Sequence, residues 1–270
     1  MLFRSLPAGQ SYYDSLILQF TKRVSSGLTV NFNYTLSRQE SNVFSAFGDS
    51  YDTPSIQDYT NLGAAAHTLT SYDQTHVVKG VVTYELPFGR GKHFLNGARG
   101  ATDKLVNGWH VAGLVTYASG SPLSFSSTNY YWYPLWASTY VNYNLAGYDG
   151  KLFDPGKFQT VTNTNNPPAA NQYFPKTIAS NPAYGDFGSG PARIGALRGF
   201  GIKHEDVSLL KEMFFHENRF RLQLRVEFYN IFNRHSFANP NTNLSSPLFG
   251  FVPGVSSTPR TGQFGLRFEF

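Results

Sequence analysis

The sequence predicts an all-β fold, namely the C-terminal portion of a transmembrane antiparallel β-barrel with about seven strands and long extracellular loops. Three observations lead to this prediction. Apolar and polar residues alternate without a break over residues 219–228 and 263–270, which is the period of a strand with one apolar face and one wet face. Aromatic residues make up 16% of the chain and charged residues only 14%, against about 25% charged in ordinary soluble domains. Short and long connections also follow a regular order along the chain.

The two alternating stretches predict which solvent each face meets. The apolar side of the first stretch is made of Phe220, Leu222, Leu224, Val226 and Phe228, and the apolar side of the second of Phe264, Leu266, Phe268 and Phe270. The opposite sides carry the charges, namely Arg219, Arg221, Arg225 and Glu227 in the first stretch and Arg267 and Glu269 in the second. Bulky apolar rows favour contact with lipid, and charged rows favour a water-filled lumen.

Alternation and turn residues predict seven strands in order. They cover residues 11–24, 28–38, 74–86, 108–119, 203–215, 219–232 and 260–270. A tight turn is expected at residues 25–27, where Gly27 accepts a positive φ. Alternation is weaker in the third strand, and Gly80 within it is expected to mark a bend or bulge.

The connections predict the orientation of the strands. Long loops are expected at about 39–73, 120–200 and 233–259, and shorter connections at 25–27, 87–107 and 216–218. Outer-membrane barrels have short periplasmic turns and longer outer loops, so the long loops are assigned to the outside. Seven strands alone would leave two unpaired edges in lipid, where each unsatisfied backbone group costs several kcal/mol. The missing strands are therefore expected from an N-terminal part of the same polypeptide.

The composition excludes several other classes. The chain has no stretch of about 18 apolar residues, so no transmembrane helix is predicted. It has no cysteine, which excludes disulfides and thiol chemistry. Residues 1–7 lack the apolar core of a signal peptide, and the sequence is expected to be a fragment of an exported protein. The charge of +5 and the pI of about 9.3 come from scattered basic residues, so no nucleic-acid partner is predicted.

No catalytic constellation is found, and the chain is predicted not to be an enzyme. Gly91-Lys92 is followed by His93 where a phosphate-binding loop needs Ser or Thr, and Arg193 stands where a dinucleotide fingerprint needs its third Gly. The seven histidines show no ligand spacing. No metal and no cofactor is therefore expected.

Two groups of side chains are candidates for functional contacts, and each has two interpretations. The predicted lumen charges Arg221, Arg225, Glu227, Arg267 and Glu269 form either a cross-strand ion-pair ladder, which is favoured, or a path for ligand or plug release. An aromatic run in the longest loop either anchors the packing of that loop or stacks on a sugar, peptide or chelate ligand. It comprises Tyr130, Tyr131, Trp132, Tyr133 and Trp136.

Several ordered motifs resemble the end of TonB-dependent outer-membrane receptors, in the branch with an N-terminal carboxypeptidase-regulatory-like domain. The motifs are residues 84–92 (YELPFGRGK), 109–120, 185–188 (GDFG), 193–201 (RIGALRGFG), 206–211 (DVSLLK), 225–233 (RVEFYNIFN) and the terminal aromatic strand. The resemblance covers most of residues 10–270. It implies a barrel of about 22 strands closed by an N-terminal plug, with import energised through TonB by way of that plug.

The resemblance also gives the terminal aromatics a role. Phe264, Phe268 and Phe270 resemble the signal recognised by the barrel-assembly machinery, although lipid contact alone also accounts for them. The expected function is thus ligand binding and uptake in the outer membrane, with an unknown extracellular ligand. Two alternatives remain: an outer-membrane structural or adhesion protein without transport, and a secreted carbohydrate-binding β-sandwich.

Overall fold

The fold is built on one antiparallel sheet. The computed structural model describes residues 10–23, 27–41, 68–125, 140–146, 148–150, 152–215 and 219–270. The strands in chain order are β1 Ser11–Lys22, β2 Leu28–Ser41, β3 His76–Glu85, β4 Trp109–Ala118, β5 Pro122–Ser124, β6 Asn142–Tyr143, β7 Ala179–Ser180, β8 Arg193–Arg198, β9 Ile202–Phe215, β10 Phe220–Tyr229 and β11 Thr261–Glu269. The described residues also contain one α-helix, α1, which covers Ala101–Val106.

Seven of these strands form a continuous meander. Their order in the sheet is β1-β2-β3-β4-β9-β10-β11, and every neighbouring pair is antiparallel. These are the seven strands predicted from the alternation, with ends that differ by a few residues. Their lengths of 9 to 14 residues match the roughly 9 to 11 residues that a tilted strand needs to cross a bilayer.

The register keeps the apolar side chains of neighbouring strands on one side of the sheet, the apolar face. Leu16 pairs with Leu36 and Phe20 with Phe32 at one edge, while Leu224 pairs with Leu266 at the other. Phe264, Leu266 and Phe268 are 69%, 63% and 56% exposed. The predicted alternation in β10 and β11 is confirmed, and these rings are not packed between two sheets, as a β-sandwich requires.

Gly80 does not mark a bulge, which corrects the sequence expectation. It pairs in unbroken register with Phe32 on one side and Val115 on the other. A Cβ atom at this position would lie 2.8 Å from Cγ2 of Val115 and 3.3 Å from Cδ2 of Phe32. The glycine is therefore explained by two large neighbours that fill its place on the apolar face, and the strand stays regular.

The sheet is open within the described residues. β1 pairs only with β2, and β11 pairs only with β10. Both edges thus present unpaired backbone groups of the kind that template further strand pairing.

The predicted long loops contain more structure than expected. The region 120–200, predicted to be irregular, holds the pairs β5-β8 and β6-β7 and three short 3-10 turns. The predicted loop 39–73 begins later than expected, because β2 reaches Ser41 and Glu40 bridges to Leu69. Tertiary packing, which periodicity does not report, orders these segments. No helix among the described residues is long and apolar enough to cross a membrane.

Candidate functional site

The long connections at one end of the sheet pack against one another. We call the described residues within 120–200 and 233–259 the loop assembly. A cluster of buried apolar side chains among the described residues belongs to it, namely Leu123, Phe125, Val141, Phe174, Ile178, Ala179, Leu197 and Phe249. The rings of Phe125, Phe174 and Phe249 pack against one another with centroids 5.4 to 5.9 Å apart. The loop assembly therefore has a hydrophobic core of its own.

A second aromatic group extends this core. Phe153 lies 5.1 Å from Phe200 and 5.0 Å from Phe237 between ring centroids, and Tyr173 lies 5.1 Å from Phe200. The Tyr173 hydroxyl donates a hydrogen bond of 2.6 Å to the carbonyl oxygen of Arg198. Burial raises the pKa of Tyr173 to about 12, so its hydroxyl stays protonated and able to donate even above pH 10.

Asn171 ties three segments of the loop assembly together. Its side chain is fully buried. Its Nδ2 donates to the carbonyl oxygens of Gln159 at 2.7 Å and Val252 at 3.3 Å, and its Oδ1 accepts from the backbone nitrogen of Gln159 at 3.0 Å. Buried polar groups are expected to be paired in this way. Asparagine here acts as a structural cross-link, which its sequence context did not indicate.

Arg198 connects the loop assembly to the sheet. Its Nη2 donates to Oδ2 of Asp73 at 2.6 Å, and its Nη1 donates to the carbonyl oxygens of Asp73 at 3.1 Å and Gly120 at 3.0 Å. The Asp73 side chain is 1% exposed and also accepts from the backbone nitrogen of Gln39, in β2, at 2.7 Å. This buried pair fixes how the loop assembly sits on the ends of the strands.

The turn after β10 is shaped by Asn230. This residue has a φ of 51°, a left-handed conformation that asparagine tolerates better than most residues. Its Nδ2 donates to the carbonyl oxygens of Arg234 at 2.9 Å and Thr258 at 3.2 Å, while its backbone nitrogen donates to Asp206 at 2.9 Å. The asparagine of the 225–233 motif therefore holds a turn.

The five predicted lumen charges lie on the side of the sheet opposite the apolar face, which we call the polar face. Arg221 contacts Glu212 of β9 and lies 3.2 Å from Glu269 of β11, so it bridges three strands. Arg267 pairs with Glu269 at 2.7 Å and Arg225 with Glu227 at 3.7 Å. The structure thus gathers all five residues into cross-strand and neighbouring ion pairs. The polar face is not purely polar, since Ile17 and Val81 also lie on it.

The apolar face carries two buried charges that sequence reasoning missed. Glu205 and Lys211 of β9 are each 3% exposed. They are an even number of residues from Val207 and Leu209 along the strand, so all four side chains lie on the same face of the sheet. Glu205 accepts from Tyr117 at 2.7 Å and from Nε of Arg234 at 2.7 Å. Lys211 donates to the carbonyl oxygen of Asn107 and lies 5.3 Å from the Trp109 ring centroid. Each charge has a partner supplied by a connection or a neighbouring strand.

The remaining predicted site residues separate into two groups. Phe264, Phe268 and Phe270 stand on or directly after the edge strand β11, with Phe270 94% exposed. Tyr130, Tyr131, Trp132, Tyr133 and Trp136 lie outside the described residues. In the described part of the chain, no group of three His, Cys, Asp or Glu residues has the arrangement needed to hold a metal ion.

The geometry defines a class of protein: an antiparallel meander with one exposed apolar face, strands of membrane-spanning length and long connections at one end. The comparison with protein families agrees with it. Residues 3–263 match the model of the outer membrane beta barrel domain. The chain belongs to this family, and its localisation is the outer membrane. The search of curated proteins and the search of solved structures found no match.

Proposed function

We propose that the chain contributes seven strands to the barrel of a TonB-dependent receptor, a non-enzymatic protein that binds a scarce ligand at the cell surface and imports it. Outer-membrane lipid then covers the apolar face, and the polar face lines the lumen. The observation that carries the proposal is the loop assembly, a packed and anchored structure at the end of the sheet with the long connections. A packed loop assembly of this kind offers a surface for ligand binding, which a pore for small solutes does not require.

The open sheet supports a larger barrel. Among the described residues, β1 and β11 each have one free edge, and an unpaired backbone group in lipid costs several kcal/mol. Further strands must cover these edges, and the same polypeptide is the simplest source. The resemblance implies about 22 strands with a plug inside, which would place the plug against the polar face and its ion pairs.

The motifs that carry the resemblance include residues with scaffold roles. Arg198 anchors the loop assembly, and Asn230 holds the turn after β10. The resemblance therefore rests on the framework and does not identify a ligand. Ligand contacts are proposed for the aromatic run Tyr130 to Trp136, and Phe264, Phe268 and Phe270 are proposed as the assembly signal for the barrel-assembly machinery.

The test is uptake by cells that carry the complete gene. Deletion of that gene is expected to abolish growth on, or accumulation of, one compound among a panel of iron chelates, oligosaccharides and peptides. Deletion of TonB should have the same effect. If the gene's phenotype, for example attachment to a surface, persists without TonB, the adhesion alternative replaces the receptor proposal.

A finer test concerns the aromatic run. Alanine at Tyr131, Trp132 and Tyr133 together is expected to weaken binding of the imported compound while the amount of receptor in the outer membrane stays constant. Alanine at Phe153, in the packed part of the loop assembly, is the comparison that reports indirect effects of loop disruption. Unchanged binding in the triple variant would remove the run from the ligand site.

A further inference from the structure

A basic groove lies at the start of β9, at the end of the sheet that carries the loop assembly. Lys203, Arg234 and His235 line a cavity of about 560 Å³ together with Phe200 and Phe237. None of the residues that line the cavity is acidic. The groove therefore combines positive charge with aromatic walls.

The register shows towards which solvent this groove faces. Lys203 pairs with Tyr117 and is an even number of residues from Val207 and Leu209 along β9. Its side chain therefore lies on the apolar face. It stands near the start of β9, beside the long connections, which are extracellular in outer-membrane barrels. The groove thus lies where the apolar face ends at the outer surface, at the depth of the lipid headgroups of the outer leaflet.

Lys203 supplies the uncompensated positive charge of the groove, because its ammonium has no ion pair among the described residues. Glu205 accepts hydrogen bonds from Nε of Arg234 at 2.7 and 2.9 Å. The Arg234 guanidinium also interacts with the Tyr117 hydroxyl. Glu205 is 3% exposed, so its carboxylate holds Arg234 in place without facing the groove.

The aromatic residues suit a ligand with an apolar body. Phe200 and Phe237 form walls of the groove. Phe232 stands beside it, 67% exposed, with the Arg234 guanidinium 5.4 Å from its ring centroid. Exposed rings beside basic residues are typical of the interfacial belt of membrane barrels. A small soluble anion has no apolar group that could contact such rings. A phosphorylated lipid presents its phosphate to the cations and its sugar or acyl chain to the rings.

We propose that the groove formed by Lys203, Arg234 and His235 binds a phosphate group of an anionic glycolipid in the outer leaflet. The planar guanidinium and the ammonium donate charge-assisted hydrogen bonds to the phosphate oxygens. The occupied groove joins the loop assembly to the surrounding membrane, because Phe200 and Phe237 belong to the aromatic group of that assembly. The inference rests on the outer-membrane localisation and is independent of the receptor proposal.

The test measures lipid retained by the intact protein. The protein is reconstituted into phosphatidylcholine vesicles that contain a small fraction of bis-phosphorylated lipid A, extracted in mild detergent and analysed by mass spectrometry for lipid A per protein. Lys203→Gln is expected to lower retention roughly tenfold, the effect of losing one hydrogen bond to a charged group. Lys203→Arg should retain the lipid. Arg234 is left intact because its removal would leave the buried Glu205 without its partner.

The control is Lys79→Gln, which removes an exposed strand lysine of the polar face and should leave retention unchanged. Dephosphorylated lipid A should be retained no better than phosphatidylcholine, and millimolar inorganic phosphate should not displace the phosphorylated form. Equal retention by Lys203→Gln and the parent protein overturns the proposal. Equal retention of the dephosphorylated lipid overturns it too, and ready displacement by inorganic phosphate would show a site for a soluble anion instead.

Discussion

The seven-stranded sheet and the loop assembly use the same kind of residue in opposite ways. In the sheet, Phe264 and Phe268 are 69% and 56% exposed, while in the loop assembly Phe174 is fully buried and Phe249 is 4% exposed. The sheet leaves its apolar side chains for lipid to cover, and the loop assembly buries its own against one another. One chain thus contains a sheet whose apolar face suits contact with lipid and a loop assembly that is packed like a soluble domain.

The sharpest test of this comparison replaces one ring in each region. Phe174→Ala is expected to destabilise the loop assembly by about 3 to 5 kcal/mol, because it empties a fully packed site. Phe264→Ala is expected to lower the stability of the protein in detergent much less, because the Phe264 ring contacts mainly detergent. Hydrogen exchange of residues 152–200 measures the first effect and heat-dependent gel mobility the second. Equal losses would contradict the division into two regions.

The junction between the two regions is tested by Arg198→Ala. This change leaves the 1% exposed Asp73 carboxylate without its guanidinium, and breaking a buried pair typically costs about 3 kcal/mol or more. Limited proteolysis should cut residues 179–200 faster while the sheet stays folded. Lys157→Ala breaks an exposed ion pair of the loop assembly, whose side chains are 76% and 54% exposed, and should not change the rate of cleavage. Unaltered proteolysis in the Arg198 variant would show that the loop assembly is held by its core alone.

Packing on the apolar face is tested by Gly80→Ala. The new methyl group would lie 2.8 Å from Val115, and such overpacking costs about 1 to 3 kcal/mol. The double variant Gly80→Ala with Val115→Ala should recover part of this loss, because the space is then available. Urea titrations of the folded protein in lipid vesicles give both values. A double variant no more stable than Gly80→Ala would point to strand conformation, not crowding, as the reason for glycine.

A smaller effect is expected from Tyr173→Phe. The variant loses the hydroxyl bond to the Arg198 carbonyl oxygen, worth about 1 kcal/mol. The raised pKa of Tyr173, about 12, also makes the stability of the loop assembly fall above pH 10, because the unfolded chain ionises there while the folded one stays protonated until about pH 12. The variant should lose less stability than the parent over this interval. Identical slopes in tyrosine-monitored alkaline titrations would contradict this.

The smallest effect is expected on the polar face from Arg267→Gln. Its side chain is 71% exposed, and an exposed ion pair contributes between about 0 and 1 kcal/mol. The folded fraction in denaturant should therefore hardly change. A loss comparable with that of Arg198→Ala would mean that the polar-face ion pairs support the sheet far more than their exposure indicates.

The sequence predicted the structure correctly where the two-residue repeat of a strand decides which face a side chain lies on. The alternation in β10 and β11 located both strands and both faces, because successive strand side chains always point to opposite sides. It failed at Gly80, whose explanation lies in Phe32 and Val115 on other strands. It also missed Glu205 and Lys211 on the apolar face, since their partners Arg234 and Asn107 come from connections that periodicity does not describe.

The sequence by itself determined the seven strands and the polarity of their faces, because these follow from a repeat of two residues and from connection lengths. Its ordered motifs, by resemblance, also predicted an outer-membrane barrel, and the match to the family model agrees with this. Only the tertiary structure decided that the long connections form a packed assembly anchored by Arg198 and Asp73, and that three basic residues meet in one groove. Such contacts join residues far apart in the chain, whose encounter depends on the register of the whole sheet and leaves no local pattern.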